Sequence, residues 1–294
     1  MTEAFRSGYI SLIGRPNVGK STLLNAVLGQ KIAIVTEKPQ TTRNRILGIK
    51  NLGDAQIIFI DTPGIHRPQH LLGRSMVRTA GEVLKEIDIV VFVTEPGKFL
   101  KRDEEILASL KERDKPVLLL INKVDRVKKP ELLSMIDAYK GLFPFREIIP
   151  VSALKRDGID IFLSTVREYL PSGPKYYPDE LVTDQIERFM AAEIIREKIM
   201  EKTTEEIPYS VAVEVLQWLE REDGVVEISA NIYVERAGQK GIIIGEKGKL
   251  LKAVGTLARL DIERLLDTKV FLQLWVKVRK GWRDDRKALQ ELGY

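Results

Sequence analysis

The stretch Gly14-Arg15-Pro16-Asn17-Val18-Gly19-Lys20-Ser21 has the form G-x-x-x-x-G-K-S, which wraps backbone amides around a phosphate chain. Its glycines let N–H groups turn inward, and a helix opening at Lys20 adds the positive end of its dipole. Lys20 can reach β- and γ-phosphates, and the Ser21 hydroxyl can ligate Mg²⁺, with Thr22 counted beside them in the phosphate site. Asp61-Thr62-Pro63-Gly64 closes the apolar run 57–60. A carboxylate at the end of a buried strand is placed to hold Mg²⁺ through its water shell, and the Gly64 N–H can sense a γ-phosphate. Asn122-Lys123-Val124-Asp125 follows the run 116–121. There Asp125 can accept from guanine N1–H and N2–H₂, a donor pair that adenine lacks, while Asn122 and the Lys123 stem order the loop and cover the base. Ser152-Ala153-Leu154 follows the run 147–151, where backbone N–H groups can reach guanine O6. In Thr41-Thr42-Arg43 one hydroxyl can complete the Mg²⁺ shell; Thr42 is favoured and Thr41 stays open.

These groups need a scaffold that brings several loops to one edge. Over residues 8–170, short β-rich runs at 9–13, 56–60, 87–93, 116–121 and 147–151 alternate with helical patterns such as 20–28 and 103–111. That alternation predicts a doubly wound, mostly parallel α/β sheet. Residues 45–50 and 56–60, joined by Asn51-Leu52-Gly53-Asp54, read as a hairpin that adds one antiparallel edge strand. The pattern breaks at Pro171-Ser172-Gly173-Pro174 and Pro178. The predicted division is a nucleotide-binding domain at 1–172, a linker at 173–183 and a second domain at 184–294. In the second, a helix is expected at 184–201 with Thr183 or Asp184 as N-cap, then strands at 211–219 and 225–234, a helix at 249–266 and a strand at 269–278.

Composition excludes whole classes of chemistry. The chain of 294 residues has no cysteine, so thiolate catalysis, disulfides and cysteine-held zinc are out, and two histidines are too few for most histidine-rich metal sites. His66 and His70 read as solvated loop residues rather than general bases. No apolar run reaches the ~20 residues of a membrane span, and the first residues do not resemble a signal peptide, so a cytoplasmic location is expected. Charge is uneven: residues 179–235 hold 15 acidic against 5 basic side chains, whereas 236–294 hold 14 basic against 7 acidic. Two unlike faces are expected there, one suited to a polyanion.

Taken in order, G-x-x-x-x-G-K-S, T-T-R, D-T-P-G, N-K-x-D and S-A resemble a translation-factor-type GTPase domain across residues 8–170. One departure matters: Ile65 stands where Ras-type enzymes carry a water-orienting Gln, so intrinsic hydrolysis is expected to be slow. Chains with that substitution resemble GTPases in which a phosphate-loop Asn helps hold a monovalent cation, and Asn17 occupies that position, which implies K⁺ stimulation. The resemblance thus assigns catalysis to Lys20, Thr42, Gly64 and Asn17.

In the second half, Gly245-Glu246-Lys247-Gly248 is a G-x-x-G turn ahead of a helix, with Ile244 before it and Lys240, Lys249 and Lys252 nearby. Glycine at both ends lets backbone approach a sugar–phosphate chain, and the Ile run with Leu250, Leu251 and Val254 is expected to floor a groove for unstacked bases. This resembles a prokaryotic-type (type II) KH domain, an α+β single-strand RNA clamp. The tail carries cations and two indoles, suited to RNA contact or a weak membrane-surface site or, alternatively, to an amphipathic strand that buries Trp275; Trp282 is the better candidate for an exposed stacking residue. Together the halves resemble the Era family of bacterial GTPases. Membership implies GTP/GDP and Mg²⁺ binding, contact with the 3′ region of 16S rRNA during assembly of the 30S subunit, and weak peripheral association with the inner membrane; a monomer is expected. Two rival readings are an RNA chaperone with structural nucleotide and a membrane-surface signalling GTPase anchored by its tail.

Overall fold

The computed structural model describes residues 4–38, 41–63, 70–97, 99–111 and 114–294. These form two compact units, the first drawn from Met1–Ala33, Thr42–Arg67 and Met76–Asp184, the second from Ile34–Thr41, Pro68–Ser75 and Gln185–Tyr294.

The first unit contains β1 (Arg6–Ile13), α1 (Lys20–Leu28), β2 (Ile46–Asn51), β3 (Ala55–Asp61) and α2 (Leu71–Glu86), whose first residues group with the second unit. It continues with β4 (Ile89–Thr94), α3 (Lys101–Leu110), β5 (Val117–Ile121), α4 (Lys129–Lys140), β6 (Ile148–Pro150) and α5 (Ile159–Tyr169). The sheet order is β2-β3-β1-β4-β5-β6, parallel throughout except for the β2–β3 hairpin. The expected doubly wound sheet with one antiparallel edge is therefore present. Strands β3, β4 and β5 are buried at every position, which explains why their sequences lack alternation. The connection after β1 runs to β2 on one side and that after its neighbour β4 runs to β5 on the other, and the crevice beyond the carboxyl ends of such a strand pair is where these sheets bind ligands. Helix α1 starts at Lys20, directly after Gly19, and ends at Gly29, whose left-handed backbone returns its N–H to the Asn25 carbonyl.

Residues 173–183 run against the first unit's sheet. Gln56 accepts from the N–H groups of Tyr176 and Tyr177 and donates to the Tyr177 carbonyl, while the Val182 carbonyl accepts from Ile49 N at 2.8 Å. The Thr183 hydroxyl donates to Leu47 O at 2.7 Å and caps no helix.

In the second unit, α6 (Glu187–Lys202) has Ile186 as its N-cap, so the helix starts three residues later than expected. A single turn α7 (Ile207–Ser210) leads to β7 (Ala212–Glu220), β8 (Val226–Val234), α8 (Ala237–Ile244), α9 (Lys249–Leu266), β9 (Val270–Val278) and α10 (Arg286–Glu291). The sheet order is β7-β8-β9, with β7 antiparallel and β9 parallel to β8. Helices α6 and α9 supply Ile194, Ile195, Val254 and Ile262 to the core with Ile228 and Ile232 of β8. The Ile run expected to line a groove is instead the end of helix α8. Gln239 accepts from the backbone N–H groups of Glu235 and Arg236 and fixes the helix start. Ile243 and Val254 belong to the core and do not floor a groove.

Candidate nucleotide site and nucleic-acid groove

The loop between β1 and α1 closes on itself. Lys20 is buried and its ammonium donates to the carbonyls of Gly14 and Arg15 at 3.0 and 2.9 Å. Burial pushes its pKa down to about 8, against the opposing attraction of Asp61. Gly19 has φ near +95°, and a Cβ there would lie 2.2 Å from the Asn122 amide nitrogen, so this position admits glycine alone. Pro16 and Thr22 are half-buried beside the loop, and Val18 is wholly buried. Asn17 is exposed with φ 67°, and its carbonyl accepts from Lys123 Nζ at 2.6 Å.

Ser21, Thr42 and Asp61 converge. Ser21 Oγ donates to Asp61 Oδ2 at 2.7 Å, Thr42 Oγ1 lies 3.2 Å from the same oxygen, and the two hydroxyls are 2.9 Å apart. Asp61 Oδ1 is buried without a hydrogen-bond partner, and burial raises the carboxyl's pKa. One carboxylate and two hydroxyls, all hard oxygens with one lone-pair set unused, fit a magnesium ion that takes its remaining oxygens from phosphates and water. Among the described residues no group of three or more His, Cys, Asp or Glu side chains competes for that ion. The Thr41 hydroxyl points elsewhere, to Thr36 Oγ1 and Lys38 O at 2.8 and 2.6 Å. The Thr62 hydroxyl donates to Leu12 O, with Pro63 following. Gly64, Ile65 and His66 lie outside the described residues.

The loops after β5 and β6 are tied to the phosphate loop. Asn122 donates to Val18 O and accepts from Ala153 N, both at 2.9 Å, so one amide holds both loops. Asp125 is exposed; the Ser152 hydroxyl donates to its Oδ1 at 2.5 Å and holds the carboxyl below its ordinary range. Leu154 turns its side chain to solvent. Two further residues escape the sequence reading. Glu95, just after β4, accepts from Lys123 Nζ at 2.5 Å, and the buried Asp103 of α3 pairs with Arg15 Nε at 2.8 Å. Glu95 sits at a strand-end loop, the one sequence signal available for it; nothing local ties Asp103 to Arg15.

In the second unit, Gly245 (φ +71°) and Gly248 (φ +77°) bracket the turn between α8 and α9, and a Cβ on Gly245 would meet Leu250 Cβ at 2.8 Å. Beside the turn, Leu251, Lys252, Arg259, Leu272 and Leu274 line an open groove of about 390 Å³. Lys247, Lys249 and Lys252 are exposed around it, Lys240 is half-buried, and Glu246 lies 3.9 Å from Lys249. Trp282 is not the exposed indole that was expected. Trp282 is completely buried, donates Nε1–H to Ser210 O at 3.1 Å and stacks on Tyr294, whereas Trp275 is 44% exposed on β9. Gly281, with φ 64°, turns the tail back, so the indole leaves solvent and its N–H finds a carbonyl.

Residues 9–123 match the family model described as 50S ribosome-binding GTPase, and residues 206–283 match KH domain. GTPase Era of Geobacter metallireducens is 55% identical over 99% of this chain and 98% of the relative, and GTPase Era of Ruminiclostridium cellulolyticum is 50% identical at the same coverage. A crystal structure of Era in complex with MgGDPNP and nucleotides 1506–1542 of 16S ribosomal RNA superposes with a TM-score of 0.96 at 42% identity, covering 99% of both chains. Aquifex aeolicus Era, as a Tyr-to-Ala variant bound to GDP·AlF4⁻, matches equally well. With half or more of all positions identical from end to end, and both functional halves matched in order, the chain belongs to the Era family of GTPases.

Proposed function

We propose that this chain is a GTP-hydrolysing switch that binds the 3′ region of 16S rRNA and acts in assembly of the 30S subunit. The convergence of Lys20, Ser21, Thr42 and Asp61 at the mouth of one loop, with Asp125 held by Ser152 nearby, carries the nucleotide part. Asp125 is kept ionised, so it accepts from both guanine donors; against adenine it would face no matching pair. Ser152 N and Ala153 N donate to Asp157 O and Asn122 Oδ1 at 3.0 and 2.9 Å, so reading guanine O6 falls to the Leu154 N–H. Lys20 exchanges its two carbonyl acceptors for β- and γ-phosphate oxygens. Ser21, Thr42 and Asp61 hold Mg²⁺, which when bound supplies neutralisation of phosphate charge. Gly64 senses the γ-phosphate.

Turnover is slow because Ile65 has no group to orient water. Asn17, exposed at the loop crest, takes K⁺, and equal rates in matched sodium and potassium buffers would remove that reading. RNA is clamped by the Gly245–Gly248 turn, with phosphates on Lys247, Lys249 and Lys252 and bases over Leu251, Leu272 and Leu274. The relative crystallised with nucleotides 1506–1542 of 16S ribosomal RNA supports this choice of RNA. With Trp282 buried, stacking or a weak contact with the inner membrane surface falls to Trp275 on the exposed face of β9. We read the chain as a monomer in the cytoplasm, with residues 173–183 joining the two functional halves.

The test pairs calorimetry with RNA binding. The protein should bind GDP and GTP but not ATP, and Gly245→Asp with Gly248→Asp should abolish binding of a 16S 3′-end oligonucleotide while GDP affinity is kept. ATP binding as tight as GTP, or unchanged RNA affinity in the doubly substituted protein, would overturn the respective half.

A further inference from the structure

Helix α6 carries four charged residues that are all buried: Glu193, Arg196, Glu197 and Lys198. Charges are taken out of water only where they are paired, and core packing alone does not explain four in one helix. Their partners do. Lys198 is held within the helix pair by Asp261 at 2.8 Å and Glu197 at 3.1 Å. Glu197 and Arg196 also reach residues 34–38 and 41, which group with the second unit. Glu197 Oε1 accepts from Val35 N at 2.8 Å. Arg196, clamped to Glu193 at 2.7 and 2.5 Å, extends Nη2 to the Thr41 carbonyl. Lys38 Nζ reaches back to the carbonyls of Met200 and Thr203, neutralising the negative end of α6. The hydroxyls of Thr36 and Thr41, 2.8 Å apart, brace this segment internally.

We propose that α6 is a dock for the segment ahead of Thr42, and that Glu197, Arg196 and the α6 carboxyl end set the preference of the nucleotide site for GTP over GDP. This rests on the reading of Thr42 as a metal ligand engaged only when a γ-phosphate is present. One peptide bond joins docked Thr41 to Thr42, whose hydroxyl lies 3.2 Å from Asp61. The docked segment therefore favours the conformation that GTP·Mg²⁺ requires. GDP makes no use of Thr42. A ligand shifts an equilibrium only by its differential affinity for the two states, so weakening the dock lowers GTP affinity by the factor to which the Thr42-in state is depopulated, and GDP affinity stays. By reciprocity GTP tightens the dock, and α6 packs directly on α9, the helix that begins where the Gly245–Gly248 turn ends.

The decisive variant is Lys38→Ala, since Lys38 is only half-buried and its loss removes the cap on α6 without opening the core. Glu197→Ala removes the acceptor for Val35 N, and a thermal melt reports whether it still folds. In the full-length protein, affinities for fluorescent GDP and a nonhydrolysable GTP analogue are measured with Mg²⁺. Lys38→Ala should weaken the analogue about five- to tenfold with GDP changed less than about twofold, and the folded Glu197→Ala protein should lose more. An unchanged analogue-to-GDP ratio in Lys38→Ala refutes the dock. If the unsubstituted protein itself binds analogue and GDP alike, with and without Mg²⁺, the Thr42 reading fails first and the dock with it.

Discussion

Replacing Asp125 by Asn asks whether one carboxylate reads the base. The substitution preserves the local frame, because the Asn Oδ1 can still accept the Ser152 hydroxyl now bound at 2.5 Å. What is lost is the charge and the Oδ2 acceptor; the amide N–H₂ in its place meets guanine donors and Oδ1 stays with Ser152, so neither charged hydrogen bond to guanine N1–H and N2–H₂ survives. Hydrogen bonds to charged groups contribute about 1.5–3 kcal/mol each, so losing the pair costs roughly 3–6 kcal/mol. Asp125 is exposed and water competes for it, which favours the lower half of that range. The expected result is about a 100- to 1,000-fold rise in Kd for GDP. Calorimetry of GDP, ADP and xanthosine diphosphate on the variant measures it. Xanthine carries a carbonyl where guanine has its amine, and the side-chain amide introduced by Asp125→Asn can donate to it, so affinity for that nucleotide should rise. A properly folded variant that binds GDP within about tenfold of the parent would refute the assignment.

Lys20, with its pKa near 8, makes nucleotide binding pH-dependent. Below pH 8 the free protein already carries the proton that phosphate requires, so affinity is flat. Above it the free protein sheds that proton and binding must take one up, so GDP affinity should fall by up to about tenfold per pH unit. Calorimetry in two buffers of different ionisation enthalpy should show proton uptake near zero at about pH 7 and rising toward about pH 9; affinity independent of pH over that range would exclude a buried, neutralisable Lys20. The indoles give a stability test: Trp282→Ala should cost about 3–5 kcal/mol through the cavity and the orphaned Ser210 carbonyl, and Trp275→Ala less than about 1 kcal/mol. Equal urea midpoints for the two variants would contradict the packing of the tail.

Wherever function sits in contiguous residues, it is readable before folding. The phosphate loop, Asp61-Thr62-Pro63-Gly64, Asn122-Lys123-Val124-Asp125 and the Gly245–Gly248 turn each state their chemistry locally, because a backbone turn and the side chain it aims are encoded within a few positions. Strand burial is legible for the same reason: uninterrupted apolar runs such as 117–121 leave no second face for water. The hydroxyl beside Asp61 is not: Thr41 and Thr42 are chemically alike, and only the loop's path turns Thr42 inward while Thr41 bonds Thr36. Helix α8 hides because a short Ile-rich segment reads equally as lining or core until its neighbours are placed. Trp282 departs from its expected exposed role because a left-handed Gly281 turns the chain back, a choice invisible to composition.

Sequence alone therefore determined which chemistries the chain carries and the class of scaffold that presents them. Tertiary structure alone decided which distant groups meet: Glu95 with Lys123, Asp103 with Arg15, and the buried charges of α6 with residues 34–38 and 41. Those pairings depend on how far-separated segments pack, and a charge leaves water only once its partner has been brought beside it.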